Sequence, residues 1–132
     1  MMADLFCLVD MEKTPVKIRL YGIDTPEKKQ AFGTRAKQFT SDLCLGKTVD
    51  VDPVNTDHYG RTVALIKLEN GKVLNEEIVR FGFAWVYGAY CKKPVCLEWT
   101  RLEHEANKAA LGLWKDKNAV PPWEWRRERR RN

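Results

Sequence analysis

The sequence predicts one α+β domain, a small and strongly bent antiparallel β-barrel packed by about three helices. Three observations lead to this fold class. The chain has 132 residues, which is the length of a single domain. Its strand-like segments are short and bounded by tight turns, and helical patterns interrupt them in the order β-β-α-β-β-(β)-α-β-α. An OB-fold-like barrel is the five-stranded version of this plan, and other helix–sheet arrangements fit the same order of elements.

Two strands are predicted first, at residues 4–10 and 16–23, around the turn MEKTP. Side chains alternate between the two faces of a strand. In the second strand one face carries Ile18, Leu20 and Gly22, and the other carries Arg19, Tyr21 and Ile23.

A helix is predicted over residues 33–45, because apolar positions recur at helical spacing and Gly46 follows as a C-terminal cap. Alternation predicts strands over 48–54 and 61–68. The pair Asn70-Gly71 then indicates a hairpin.

The second half of the chain predicts two further helices. Asn75 is expected to cap a short helix that ends at Gly82, and a short strand is expected over 83–87. The last helix is predicted over 95–111.

The charge is unevenly distributed. The net charge is +5, of which the last ten residues contribute +3, because they contain five Arg and two Glu. We therefore expect one domain over residues 1–125 and a basic, solvated tail over 126–132. The apolar runs are far too short to span a membrane, so we expect no membrane partner.

The four cysteines predict two kinds of environment. Cys7 and Cys44 lie on apolar phases of a strand and a helix and are expected to be small core residues. Cys91 and Cys96, in CKKPVC, can form a local disulfide, which would suit an oxidising compartment, or remain as thiols. The two histidines do not supply zinc-ligand spacing.

The stretch RLYGIDTPE, residues 19–27, ends a strand in two acids around a Thr-Pro corner. One interpretation is a helix cap, since Asp24 and Glu27 have the spacing of a capping box. The other is chemical: Asp24 can hold a hard cation, Glu27 can take a proton from water, and Arg19 can bind a phosphate oxygen. Burying Arg19 in a small barrel is costly unless it faces anions.

A second arginine follows in TDHYGRT, residues 56–62. Arg61 is either an exposed hairpin residue or a second guanidinium for phosphate. Two guanidinium groups would neutralise the charge that a phosphoryl transition state spreads over its oxygens.

Together RLYGIDTPE, DHYGRT, LNEEIVRFGFAWVY and GLW…VPPWEWR resemble the staphylococcal nuclease-like (thermonuclease) family over nearly the whole chain. The resemblance implies a five-stranded OB-like barrel with three helices. It also implies a calcium-dependent nuclease that cuts DNA and RNA with little sequence specificity, prefers single strands and leaves 3′-phosphates. We expect a monomer that is extracytoplasmic or secreted in its full-length bacterial form; the chain shows no signal peptide, and its abrupt start suggests a cut inside the domain.

The resemblance also implies roles for individual residues. Arg19 and Arg61 match the two catalytic arginines, and Glu27 matches the general base. Tyr59 matches a tyrosine that contacts a terminal phosphate. Tyr87 and Tyr90 match positions beside the nucleotide.

Calcium would be held by Asp24 and by the backbone carbonyl of Thr25. Family members carry an Asp-Gly-Asp-Thr motif on the first strand, whose second Asp is another ligand. Asp4 matches it in a start that lacks the intact motif. The alternative function is a non-catalytic OB-like module that binds nucleic acid or protein.

Overall fold

A computed structural model describes residues 16–131, and the predicted strand over 4–10, with Asp4 and Cys7, lies outside them. The described chain contains five strands and four α-helices. In chain order these are β1 (Ile18–Leu20), β2 (Ile23–Asp24), α1 (Gly33–Cys44), β3 (Asp50–Thr56), β4 (Thr62–Lys67), α2 (Leu74–Arg80), β5 (Trp85–Val86), α3 (Val95–Lys108) and α4 (Pro122–Arg131), with a 3₁₀ helix at Gly112–Lys115 between α3 and α4.

The strands form two small sheets. In the first the order is β1-β4-β3, with β1 parallel and β3 antiparallel to β4; in the second, β2 and β5 pair antiparallel. The α+β class is therefore confirmed. Within residues 16–131 the sheets are open, so the expected closed antiparallel barrel is not present in this part of the chain.

The predicted strand over 16–23 is interrupted before β2, so β1 and β2 belong to different sheets. Gly22 has φ +73°, a left-handed conformation that a side-chain-bearing residue rarely adopts. A Cβ there would lie 2.6 Å from the Sγ of Cys91 and 3.2 Å from the ring of Trp99. The chain therefore turns at this point from β1 into β2, and residue 22 has room only for glycine.

The hairpin prediction at Asn70-Gly71 is confirmed: Lys67 bridges Val73 and Gly71 has φ +85°. The prediction for Asn75 is wrong. Asn75 is fully buried inside α2 and does not cap it. Its Oδ1 accepts a hydrogen bond from the backbone N–H of Ile66 (3.1 Å), and its Nδ2 donates to the carbonyls of Tyr21 (3.1 Å) and Ala64 (3.2 Å).

The core lies between the three-stranded sheet and the first three helices. Its largest fully buried side chains include Trp99 of α3, Ile18 of β1, Ile66 of β4, and Leu74 and Ile78 of α2. None of the helices in the described chain is long and apolar enough to cross a membrane.

The cysteines are oxidised where the structure describes them. Cys91 and Cys96 form a disulfide, with their Cα atoms 5.8 Å apart. Cys44 is buried in the core as expected, and it is also disulfide-bonded. The Cys91–Cys96 disulfide closes the loop before α3, and the Sγ of Cys91 packs against Gly22 at the break between β1 and β2.

Candidate active site

Two arginines are brought together by the parallel pairing of β1 and β4. The register sets Arg19 opposite Val63, and Arg61 directly precedes β4. Arg19 is 6% and Arg61 4% exposed, so the interpretation of Arg61 as an exposed hairpin residue is wrong. Two buried guanidinium groups on one edge of a sheet require anionic partners, because burying an unpaired charge is costly.

Asp57 fixes Arg61 in place. Its Oδ2 accepts from Arg61 Nε at 2.8 Å, and its Oδ1 accepts from the backbone N–H groups of Arg61 (3.0 Å) and Tyr59 (2.9 Å). Burial pushes the pKa of Asp57 up, but these hydrogen bonds and the charge of Arg61 outweigh burial and lower it. Asp57 is not among the residues predicted from the sequence, although an acid four residues before Arg61 in a tight turn was the available signal.

Arg19 has other charged groups around it. Burial lowers its pKa, and the nearby positive charges of Arg61 and Arg126 lower it further, whereas Asp24 and Asp57 act in the opposite direction. Its Nη1 also donates to the carbonyl of Leu20. Arg19 is therefore a buried guanidinium surrounded by charges of both signs.

The two acids lie at the end of β2 and in the turn after it. Asp24 is the last residue of β2 and is 2% exposed, whereas Glu27 is partly buried. The capping interpretation is wrong, because the next helix, α1, begins only at Gly33. Thr25, between the acids, is half-buried.

Gly33 and Gln30 hold the turn that carries Glu27. A Cβ at residue 33 would lie 1.9 Å from the carbonyl oxygen of Glu27, so the first residue of α1 must be glycine for this approach. The N–H of Glu27 donates to Gln30 Oε1 at 3.1 Å, and Gln30 Nε2 donates to the carbonyl of Val120. The turn is therefore fastened to the segment that leads into α4.

The partner of both acids is Arg126, from the segment expected to be a solvated tail. Its Nη2 lies 2.9 Å from Asp24 Oδ2, and its Nη1 donates to Glu27 Oε1. Its side chain is 13% exposed. Burial raises the pKa of Asp24, while the charges of Arg126 and Arg19 oppose that rise. The solvated-tail expectation therefore does not hold at Arg126, because α4 carries this side chain to the two buried acids.

The three predicted tyrosines separate into two groups. Tyr59 and Tyr90 line the same cavity and are 56% and 58% exposed, so their rings are available to a ligand. Tyr87 is instead stacked on Trp123 of α4, with ring centroids 4.5 Å apart and planes 17° from parallel. Tyr87 touches Tyr90 edge-on at 4.8 Å, so it supports the cavity wall from behind.

The cavity itself has a volume of about 570 Å³ and is lined by three arginines, Arg19, Arg61 and Arg126. Among residues 16–131, Asp57 is the acid in its lining, and its carboxylate already binds Arg61. The tyrosine rings at the rim offer stacking faces, and the guanidinium groups offer forked donors that match a phosphate. The arrangement suits an anionic, phosphate-bearing ligand with flat groups on either side.

Comparison with known sequences decides the family. The family model described as staphylococcal nuclease homologue matches residues 17–116. The chain belongs to this family. Both arginine-bearing segments and both acids fall inside the matched residues, whereas α4 and Arg126 lie beyond residue 116.

Individual nuclease-like proteins match over most of the chain. An uncharacterized endonuclease of Escherichia coli is 41% identical over 123 residues, covering 93% of this chain and 78% of that protein. A protein named micrococcal nuclease from Shigella flexneri is 38% identical over 125 residues, covering 89% and 71%. The staphylococcal-like nuclease CAN1 of Arabidopsis thaliana is 40% identical over 114 residues, but the match spans only 34% of that plant protein.

The candidate site offers carboxylate oxygens as ligands for a metal cation. Residues 16–131 contain no group of three or more His, Cys, Asp or Glu side chains that could hold a metal ion together. They do contain two carboxylates, Asp24 and Glu27, gathered around the single positive group of Arg126. Hard carboxylate oxygens that share one cation fit Ca²⁺ in ligand type. Asp4, the other predicted ligand, lies outside the described residues.

Proposed function

We propose that this protein is a calcium-dependent nuclease that hydrolyses phosphodiester bonds of DNA and RNA and leaves 3′-phosphates. The observation that carries the proposal is the pair of buried arginines, Arg19 and Arg61, lining one cavity, with Asp24 and Glu27 joined to that cavity through Arg126. Membership in the staphylococcal nuclease family and nuclease-named relatives support it.

The arginines would act on the charge that develops at phosphorus. Their guanidinium groups can each form two parallel hydrogen bonds to phosphate oxygens, and they are fixed before substrate arrives. Arg61 is held by Asp57, and Arg19 is enclosed in the sheet edge. Preorganised donors of this kind stabilise the transition state because they need no reorientation during the reaction.

Glu27 would act as the general base. Its carboxylate lies at the rim of the buried acids, 17% exposed, where water can reach it. It would accept a proton from the water that attacks phosphorus, and the 5′-oxygen would leave on the opposite side. Bound Ca²⁺ would supply Lewis-acid polarisation of a phosphate oxygen, and Asp24, the Thr25 carbonyl and Asp4 are the groups that would hold it, beside Glu27.

The proposed substrates are nucleic acids bound with little regard to sequence. The cavity offers guanidinium groups for backbone phosphate and tyrosine rings, Tyr59 and Tyr90, for stacking on bases. Such a site favours single strands, whose bases are free to stack. A monomer in an extracytoplasmic or secreted location is proposed as well, and the Cys91–Cys96 disulfide supports an oxidising compartment.

The test is cleavage of single-stranded DNA and of RNA, with Ca²⁺ and then with excess chelator, followed by end-group analysis of the products. We expect chelator-sensitive cleavage and 3′-phosphate ends. Glu27→Gln should lower turnover by about 10²- to 10⁴-fold, the usual effect of losing a general base.

Glu128→Gln is the matched control, because Glu128 is exposed and its substitution removes the same negative charge. It should cleave like the unmodified protein. Absence of cleavage in both metal conditions, with retained binding of single-stranded DNA, would instead indicate the non-catalytic binding module.

A further inference from the structure

Arg126 occupies the position in which a cation would serve Asp24 and Glu27. One guanidinium spans both carboxylates, with Nη2 on Asp24 at 2.9 Å and Nη1 on Glu27. Arg126 also lines the cavity beside Arg19 and Arg61. It comes from α4, outside residues 17–116 that the family model matches.

We propose that Arg126 is a built-in counter-ion of the two acids, which a divalent cation must displace and which then turns to the phosphate of the substrate. The inference rests on the proposed function for the identity of the cation and the substrate. It adds a third guanidinium to the site and assigns a role to the C-terminal helix.

The charges argue for exchange rather than coexistence. Asp24 and Glu27 together carry two negative charges, which one guanidinium only half neutralises and one divalent cation balances. With Arg126 still on these carboxylate oxygens, its guanidinium would lie against a divalent cation bound to the same oxygens, and Coulomb repulsion between the two positive groups is strong where they are buried. Arg126 would therefore have to withdraw from the carboxylates when the cation binds.

The surroundings provide a second position for Arg126. The cavity already collects Arg19 and Arg61. Burial lowers the pKa of Arg19, and the charges of Arg61 and Arg126 lower it further, against the opposite effect of Asp24. Arg126 already lines that cavity, and a closer approach of its guanidinium to Arg19 and Arg61 is favourable only once an anion is present. Phosphate would thus attract Arg126 away from the acids, so metal and substrate should favour each other's binding.

The attachment of α4 is compatible with such a movement. Its first turn is held by Trp123 stacked on Tyr87, whereas Arg127 and Arg129, further along the helix, are exposed. A change of side-chain rotamer or a small shift of this helix end would carry the guanidinium from the acids toward Arg19 and Arg61.

The experiment is a calorimetric titration of the full chain with Ca²⁺ alone, without nucleic acid. Arg126→Gln should bind Ca²⁺ about 5-fold or more tightly than the unmodified protein, because typical coupling between competing ligands lies in this range or above it. Arg127→Gln, the same change one residue along on an exposed position, should leave the affinity unchanged. Near-UV circular dichroism of both variants checks the fold, and Arg126→Met provides a second neutral side chain if Arg126→Gln does not fold.

The inference is overturned if the Arg126 variants bind Ca²⁺ no more tightly than the control, or if none of the proteins binds it. The binding readout separates this inference from the nuclease proposal. Tighter Ca²⁺ binding without any cleavage would support the counter-ion and refute the enzyme. Cleavage with unchanged Ca²⁺ affinity would do the reverse.

Discussion

The two sides of the candidate site are built differently. The arginine side, Arg19 and Arg61, is fixed by strand pairing and by an acid four residues before Arg61. The carboxylate side, Asp24 and Glu27, lies at a strand end and in a turn, and its partner Arg126 comes from the other end of the chain. The arginine side is thus fixed within the sheet, and the carboxylate side depends on contact with a helix from the other end of the chain.

The two sides therefore suit different tasks: the arginine side is preorganised, and the carboxylate side can change its partners. Groups fixed by a sheet edge are suited to stabilising a transition state, which requires donors that do not move. Groups held by a turn and by two ion pairs to a residue from the other end of the chain are suited to exchanging partners, which metal binding requires. The following variants disturb one side at a time.

Among the variants that follow, the largest effect is expected on the arginine side. Arg61→Ala should lower the rate of single-stranded DNA cleavage by about 10²- to 10³-fold, since it removes a preorganised donor to the transition state. Single-turnover kinetics at saturating substrate would measure this loss. An Arg61→Ala protein that folds and cleaves at the normal rate would contradict the assignment of Arg61, and Arg127→Ala is the control for loss of one positive charge.

Gly33→Ala should disturb the carboxylate side through packing. The new Cβ would lie 1.9 Å from the Glu27 carbonyl oxygen, so the turn must shift. Overpacking of this kind costs about 1–3 kcal/mol in the free energy of unfolding, measurable by urea denaturation.

Gly88→Ala is the matched control, because a Cβ at residue 88 meets nothing within 4 Å. That variant should be close to neutral. If the two alanine variants were equally stable and equally active, the approach of Gly33 to Glu27 would have no importance for the site.

A smaller effect is expected when Asp57 is changed to Asn. The orienting carboxylate is lost while Arg61 remains, so turnover should fall by about 10-fold, and at most about 100-fold, through misplacement of the guanidinium. The KM for substrate should change less than the turnover number. An equal loss in Arg61→Ala and Asp57→Asn would instead show that Asp57 does more than position Arg61.

The smallest effect is the pH dependence of stability from the same residue. The folded-state pKa of Asp57 lies below its ordinary value of 3.8. Its contribution is therefore fully present above that ordinary value and is lost as the pH falls through the folded pKa. The stability difference between the unmodified protein and Asp57→Asn should stay constant from neutral pH to about pH 5 and shrink below about pH 4. A difference that did not change down to pH 2 would rule this out.

The arginine side was largely predictable from the sequence, and the carboxylate side only in part. Strand alternation placed Arg19, and a tight turn with Gly60 placed Arg61 near the next strand, since both are local signals. The acids were also recognised as chemically competent. Their partner was not, because no short-range pattern links residue 126 to residue 24, and a run of arginines is ordinarily a solvated end.

Two predictions about the fold were wrong for the same reason, that distant contacts decide the outcome. The strand over 16–23 has a continuous β pattern, and only the packing of Gly22 against Cys91 and Trp99 reveals the break. The polar Asn75 at a helix start resembles a cap, whereas tertiary contacts turn its amide into a buried link. Both outcomes depend on residues far away in the chain, which local propensity does not include.

The buried amide of Asn75 bears on the register in which strands β1 and β4 pair. Strands β1 and β4 pair residue 18 with residue 62, so a long loop must close before their parallel ladder forms. A slip of one residue in that ladder would turn Arg19 to the opposite face. Asn75 bonds the N–H of Ile66 and the carbonyls of Ala64 and Tyr21 simultaneously, and only one alignment of the strands presents all three. This amide therefore favours the native strand register over a shifted one, and Asn75→Leu, which removes all three hydrogen bonds, should weaken that preference.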